Sequence, residues 1–76
     1  MELFKIIEKT LLEKNNIKLK IYSLNYVIEL EDNKYIIYPE LYINRKNSYN
    51  NLTDLFTNYT IYNENLLDNI EKIKII

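Results

Sequence analysis

The 76-residue chain contains no glycine, histidine, cysteine, tryptophan, alanine or glutamine, and a single proline. Without Cys or His, the usual structural and catalytic zinc sites cannot be built. Nucleophilic arrangements of the Ser-His-Asp or Cys-His type are excluded for the same reason. Without Gly there is no phosphate-cradling loop, no dinucleotide-binding turn and no nucleophile elbow. No run of five like charges supplies a charged arm. No stretch approaches the roughly 18 consecutive apolar residues of a membrane-spanning helix. Residues 1–12 alternate charged with apolar side chains and lack the continuous apolar core of a signal peptide. The expectation is a cytoplasmic chain with no membrane partner and no cofactor or metal.

What is present is uneven: 13 Ile, 12 Asn, 11 Leu and 8 Tyr, with 9 Lys against one Arg. Ile, Asn, Lys and Tyr share AT-rich codons, which points to an AT-rich bacterium, phage or plasmid as the source. The formal charge is −1 and the pI about 5.4, so no global field draws in nucleic acid or an anionic membrane. The sequons Asn51-Leu52-Thr53 and Asn58-Tyr59-Thr60 are read as coincidences of an Asn-rich chain.

Leu3, Phe4, Ile7 and Leu11 lie on one helical stripe, with Ile6 and Leu12 widening its flanks. Asn15-Asn16 supplies the stop, because Asn tolerates the left-handed backbone of a helix C-terminus. From Ile17 the period changes to two, through Ile17, Leu19, Ile21, then Tyr26, Ile28, Leu30, then Tyr35-Ile36-Ile37-Tyr38. Asp32-Asn33 suits a two-residue hairpin turn that places Leu30 opposite Tyr35, Ile28 opposite Ile37 and Glu31 opposite Lys34. A turn near Leu24-Asn25 would set Ile21 against Ile28 and Leu19 against Leu30, with Lys20 and Lys18 facing Glu29 and Glu31. Leu24 is a poor turn residue, which leaves a longer loop or a bent continuous strand as alternatives. Pro39 ends the third strand or marks an edge.

Asn51 is a helix cap with Asp54 near the helix N-terminus, and Leu52, Leu55, Phe56 and Tyr59 form the stripe. Asn63 is read as the cap of a last helix carrying Leu66, Leu67, Ile70 and Ile73. The expected fold is a single small α+β domain over 1–76. It has an N-terminal helix, a three-stranded antiparallel meander and two C-terminal helices, in the order α-β-β-β-α-α. Lys72-Ile73-Lys74-Ile75-Ile76 cannot all face one core, and reads as an extra strand, a dimer contact or a frayed end. Asn falls at nearly every boundary of the pattern, taking over turns that Gly would normally make.

The chemistry-bearing residues that remain are carboxylates, Tyr, Ser, Thr and Lys. Glu29, Glu31 and Asp32 form the densest acidic group, and an ion-pairing role against Lys20 and Lys18 is favoured over Mg²⁺ binding. A cleft for paired acid–base carboxylates has little material in a domain of this size, and no enzyme is expected. The expected means of action is contact. Tyr22, Val27, Ile36 and Tyr38, beside Lys18, Lys20 and Lys34, are placed on a sheet face that the helices leave open unless residues 40–50 fold over it. The candidate partner-binding residues are Lys20, Tyr22, Ile36 and Tyr38, with Tyr42, Arg45 and Tyr49 as a second patch. On this reading Tyr22 and Tyr38 are dispensable for folding.

The expected function is a small non-catalytic protein-binding module, a stoichiometric inhibitor or adaptor of the kind mobile elements direct at host defence machinery. Two alternatives stand beside it. One is a nucleic-acid-binding domain using the Tyr/Lys face as a stacking platform. The order α-β-β-β-α is shared with double-stranded-RNA-binding domains, a likeness of topology alone that lacks their loop element and Lys cluster. The net charge disfavours it. The other is a structural subunit, with a homodimer hiding the aromatic face.

Overall fold

The computed structural model describes residues 2–76. The first helix, α1 (Glu2–Lys14), buries Ile7 and Leu11 and packs Leu3 and Phe4 against the core. Ile6 and Leu12, expected to widen its apolar stripe, are exposed. Asn15 ends the helix with φ 66°, and its N–H still reaches the Leu11 carbonyl at 2.9 Å. This is the left-handed stop that Asn performs in place of Gly.

Strands β1 (Asn16–Ile21), β2 (Leu24–Glu31) and β3 (Lys34–Pro39) follow as an antiparallel meander. Asp32 and Asn33 both take positive φ and join β2 to β3 in the expected register, Leu30 against Tyr35 and Ile28 against Ile37. The β1–β2 register differs from expectation. The turn falls at Tyr22-Ser23, so Ile21 faces Leu24 rather than Ile28, and Leu19 faces Tyr26 rather than Leu30. The displacement is even, so the same side chains still face inward. The expected cross-strand pairs Lys20–Glu29 and Lys18–Glu31 do not form, because Lys20 faces Asn25 and Lys18 faces Val27.

The sheet has five strands, not three. A short β4 (Asn47–Tyr49) pairs with β3, and the chain then enters α2 (Leu52–Asn58). The Asn51 side chain caps this helix, accepting the Asp54 N–H at 2.8 Å, and Leu52, Leu55 and Phe56 are buried. The Phe4 and Phe56 rings pack edge to face with their centres 5.2 Å apart, tying the two helices together.

The expected second C-terminal helix is absent: among the described residues α2 is the only helix after the meander apart from one short 3₁₀ turn. Residues beyond α2 form a small hairpin, β5 (Thr60–Ile61) and β6 (Glu64–Asn65), then the 3₁₀ turn (Ile70–Lys72) and β7 (Ile73–Ile75). Asn63 sits at φ 65° in the hairpin turn instead of capping a helix. Two effects override the helical spacing of Leu66, Leu67, Ile70 and Ile73. Asn side chains compete for the backbone: the Asn65 Oδ1 takes the Asp68 N–H at 2.8 Å, and the Asn69 Nδ2 donates to the Asn65 carbonyl at 3.1 Å. The β-branched Ile73 also pairs opposite Ile21 in the sheet. The strand order is β4-β3-β2-β1-β7, which confirms the extra-strand reading of the last residues.

One face of the sheet carries Ile17, Leu19, Ile21, Tyr26, Ile28 and Ile37 into a core closed by Ile7, Leu11, Leu52, Leu55, Phe56, Leu66 and Ile73. Asn69 is the buried polar residue at the rim. It accepts the Tyr22 hydroxyl at 3.2 Å and donates to Asn65. Replacing it with alanine strands the segment that leads into β7, so Asn69→Ala should lower stability by about 1–3 kcal/mol, read from the urea midpoint. Burial pushes the Tyr59 phenol up to about 12, helped by the neighbouring Tyr26, whose ring centre lies 6.4 Å away in edge-to-face geometry. A folded-state value above the ordinary 10.0 means stability that is intact below pH 10 and lost as pH rises through about 12. Tyr59→Phe should flatten that alkaline loss, checked by unfolding at stepped pH alongside phenolate absorbance.

Candidate functional site

The sheet face turned away from the helices carries Lys18 and Lys20 from β1, Val27 and Glu29 from β2, Ile36 and Tyr38 from β3, and Lys74 from β7. It is not an open aromatic surface. Tyr38 is only 8% exposed and Val27 only 7%. The β3–β4 loop folds back over them: Glu40 pairs with Lys18 at 2.8 Å, and Lys46 lies 5.1 Å from the centre of the Tyr38 ring while reaching Glu29 at 3.8 Å. The Tyr38 hydroxyl donates to Glu29 at 3.3 Å. Long side chains thus lay their stems and charges over a two-residue apolar seam.

The titrations follow this arrangement. Hydrogen bonds from Lys18 and then Asn25 hold the Glu40 carboxyl below its ordinary range, and the same bond to Glu40 raises Lys18. Burial, followed by the Glu29 charge, raises Tyr38. Every resolved shift moves its group further from neutral pH.

The seven residues expected to bind a partner therefore separate. Lys20 stays exposed on the outer face and Ile36 is half-buried beside the seam. Tyr38 is structural there. Tyr22 is not on that face at all: it occupies the first turn position at φ 57°, its ring packed edge to face with Tyr62 at 5.4 Å between centres. Tyr49 lies on the inner face opposite Tyr35, where burial raises its phenol. Tyr42 and Arg45 stay together, the guanidinium 5.1 Å from the ring centre.

The exposed apolar surface gathers at one end of the sheet. The β1–β2 turn and the β3–β4 loop enclose a groove of about 320 Å³ lined by Lys20, Leu24, Asn25, Pro39, Leu41 and Tyr42 among others. Leu41 is 82% exposed and Ile43 65%, both in the same loop. Tyr62 is 73% exposed, and through Tyr22 it joins this end from the β5–β6 turn. Sequence reasoning found Tyr22, Tyr42 and Arg45 but missed Leu24, Leu41, Ile43 and Tyr62. A signal was available for Leu41 and Ile43: Leu41-Tyr42-Ile43 comes soon after the strand-ending Pro39 and has no periodic partner to bury it.

Two of these rings stand on strained backbone. Tyr62 takes φ 54°, and Tyr22 takes φ 57°. The left-handed region costs an ordinary residue about 1–2 kcal/mol. The other four positive-φ residues are Asn or Asp, for which the cost is smaller.

Among the described residues no helix is long and apolar enough to cross a membrane, and no group of three or more acidic side chains is placed to hold a metal ion. Models of protein families, curated proteins and solved structures were all compared with the chain, and none matches it.

The buried Tyr38 reverses the expectation that it is dispensable. Tyr38→Ala should destabilise the fold by about 3 kcal/mol, while Tyr38→Phe, which keeps the ring, should cost under about 1 kcal/mol in thermal unfolding.

Proposed function

We propose that the chain is a non-catalytic protein-binding module whose contact surface is the loop end of the sheet, acting by stoichiometric occupancy as an inhibitor or adaptor. The observation that carries the reading is the exposure of Leu24, Leu41 and Tyr42 along one groove, with Ile43 exposed beside them in the same loop. Neighbouring apolar side chains held out in solvent mark interaction surfaces on small proteins. Tyr and Arg are the residue types that dominate binding energy at protein interfaces, and Tyr42 with Arg45 supplies both. The tyrosines of the two hairpin turns add a second argument. A large aromatic at a left-handed position is poor for folding, and such strain concentrates where a side chain serves another purpose.

The electrostatics support contact over turnover. Acid–base catalysis needs a group poised near the working pH, whereas Lys18, Glu40 and the shifted tyrosines all move away from it. The nucleic-acid alternative draws less support than it did from sequence. Tyr38 is covered, so it offers no free stacking face. Lys18 and Lys46 are already paired with carboxylates.

The test separates binding from folding. Tyr62→Gly relieves a left-handed residue but removes the ring packed on Tyr22; the two effects oppose, so stability should stay within about 1 kcal/mol of the parent. Leu41→Asp should be equally neutral for folding. In affinity capture from the native cell, both variants should lose a protein that the parent retains, while Lys34→Glu on the opposite end keeps it. Retention of nucleic acid by the parent, released as salt rises, would instead favour the alternative.

A further inference from the structure

β7 is paired on one side and open on the other. The Ile76 N–H meets the Lys18 carbonyl at 3.1 Å, and the register places Lys74 opposite Lys20. Antiparallel alternation then turns the main-chain groups of Lys74 toward β1 and those of Ile73 and Ile75 toward the free side. The Ile73 N–H is taken by the Ile70 carbonyl. The Ile73 carbonyl and both groups of Ile75 therefore line an edge beside which no strand lies among the described residues.

The two flanks of this edge differ chemically. On the inner side Ile75 is 42% exposed. On the outer side Lys74 and Lys20 stand directly opposite each other, and neither has an ion-pair partner among the described residues. Like charges in direct cross-strand opposition are destabilising. Elsewhere on this face lysine is matched: Lys18 with Glu40, Lys46 with Glu29, and Lys34 opposite Glu31. A lysine on an edge strand is a common guard against unwanted pairing. That accounts for Lys74 alone and leaves a second lysine set against it unexplained.

We propose that β7 accepts an extended acidic segment of a partner protein as a sixth strand. Its carboxylates would lie over Lys20 and Lys74, and its alternate aliphatic residues would pack against Ile75 on the other face. A second copy of the chain is the poorer occupant. Pairing β7 with its own symmetry mate brings the lysine pairs of both copies onto one face, and β4 (Asn47-Ser48-Tyr49) carries no carboxylate to offer. The inference rests on the protein-binding reading for the class of partner, but its surface is the β7 edge, which shares only Lys20 with the loop-end groove.

The test is an NMR titration of the isotope-labelled chain with two capped pentapeptides, Glu-Val-Glu-Ile-Glu and Lys-Val-Lys-Ile-Lys. The acidic peptide should shift the amides of Ile73, Lys74 and Ile75 saturably, and the basic one should not. The double reversal Lys20→Glu with Lys74→Glu should weaken the acidic peptide and strengthen the basic one, each by about tenfold or more. Ile75→Pro deletes an outward N–H without touching the β1 pairing and should also lose the acidic peptide. Leu41→Asp should leave the titration unchanged, so failure at the edge is distinguishable from failure at the loop end. An equal response to both peptides overturns the proposal. So does the absence of β7 shifts at millimolar acidic peptide, or dimerisation through β7.

Discussion

A chain without glycine must still reverse direction, and the places where it does so decide the rest of this structure. Among the described residues six carry positive φ: Asn15, Tyr22, Asp32, Asn33, Tyr62 and Asn63. Asn15 releases the chain from α1 into β1, and the other five close three hairpins. Asn and Asp bear this geometry at small cost because their short polar side chains hydrogen-bond locally. Tyr22 has no such relief. What holds it is tertiary: its hydroxyl on Asn69 and its ring against Tyr62. The β1–β2 register therefore depends on a contact with a segment nearly fifty residues further along the chain, and that segment is fixed in turn by β7 pairing with β1. The C-terminal strand and the first hairpin stabilise each other.

This dependence explains what could be read from the residues alone. α1, the β2–β3 hairpin and the start of α2 have local causes: an apolar stripe, an Asp-Asn turn and an Asn cap. Each was legible because the deciding interaction lies within a few residues of the element. The β1–β2 turn was not. Nothing in Tyr22-Ser23 announces a turn, and the charge pairing that favoured Leu24-Asn25 was a plausible local match that loses to the distant hold on Tyr22. The last helix failed for a related reason. The spacing of Leu66, Leu67, Ile70 and Ile73 is helical, but Ile73 gains more against Ile21 than on a short helix interrupted by Asn65 and Asn69. β4 is three residues long and carries no apolar alternation to reveal it.

The exposed residue types were legible, but the exposure expected of Tyr38 on the sheet face was not what the structure shows. Period-two alternation shows which way Tyr38 points, and it does point away from the helices. Pointing outward is not exposure, however. A small domain with helices on one side of its sheet has to shield the other side with what the loops provide, and here Glu40 and Lys46 bring charge over Val27 and Tyr38. Such a cover is light: two residues are hidden beneath side chains that keep their charges in water. It nevertheless closes the centre of the face and leaves free surface at the loop end and along β7.

On the proposed reading, those two regions share a property that suits them to contact better than the sheet face. The loop-end tyrosines stand on two-residue turns whose φ angles are confined by steric limits, and each braces the other in edge geometry. Little conformational freedom remains for such rings to lose on binding, and ordering of side chains is a principal cost of association. β7 is likewise held by its pairing with β1, so its outward N–H and carbonyl groups are arrayed before any partner arrives. The glycine-free turns thus do two things at once. They cost some stability where Tyr takes a left-handed backbone, and in return they place at the turn tips two rings, packed on each other, that glycine in the same positions could not supply.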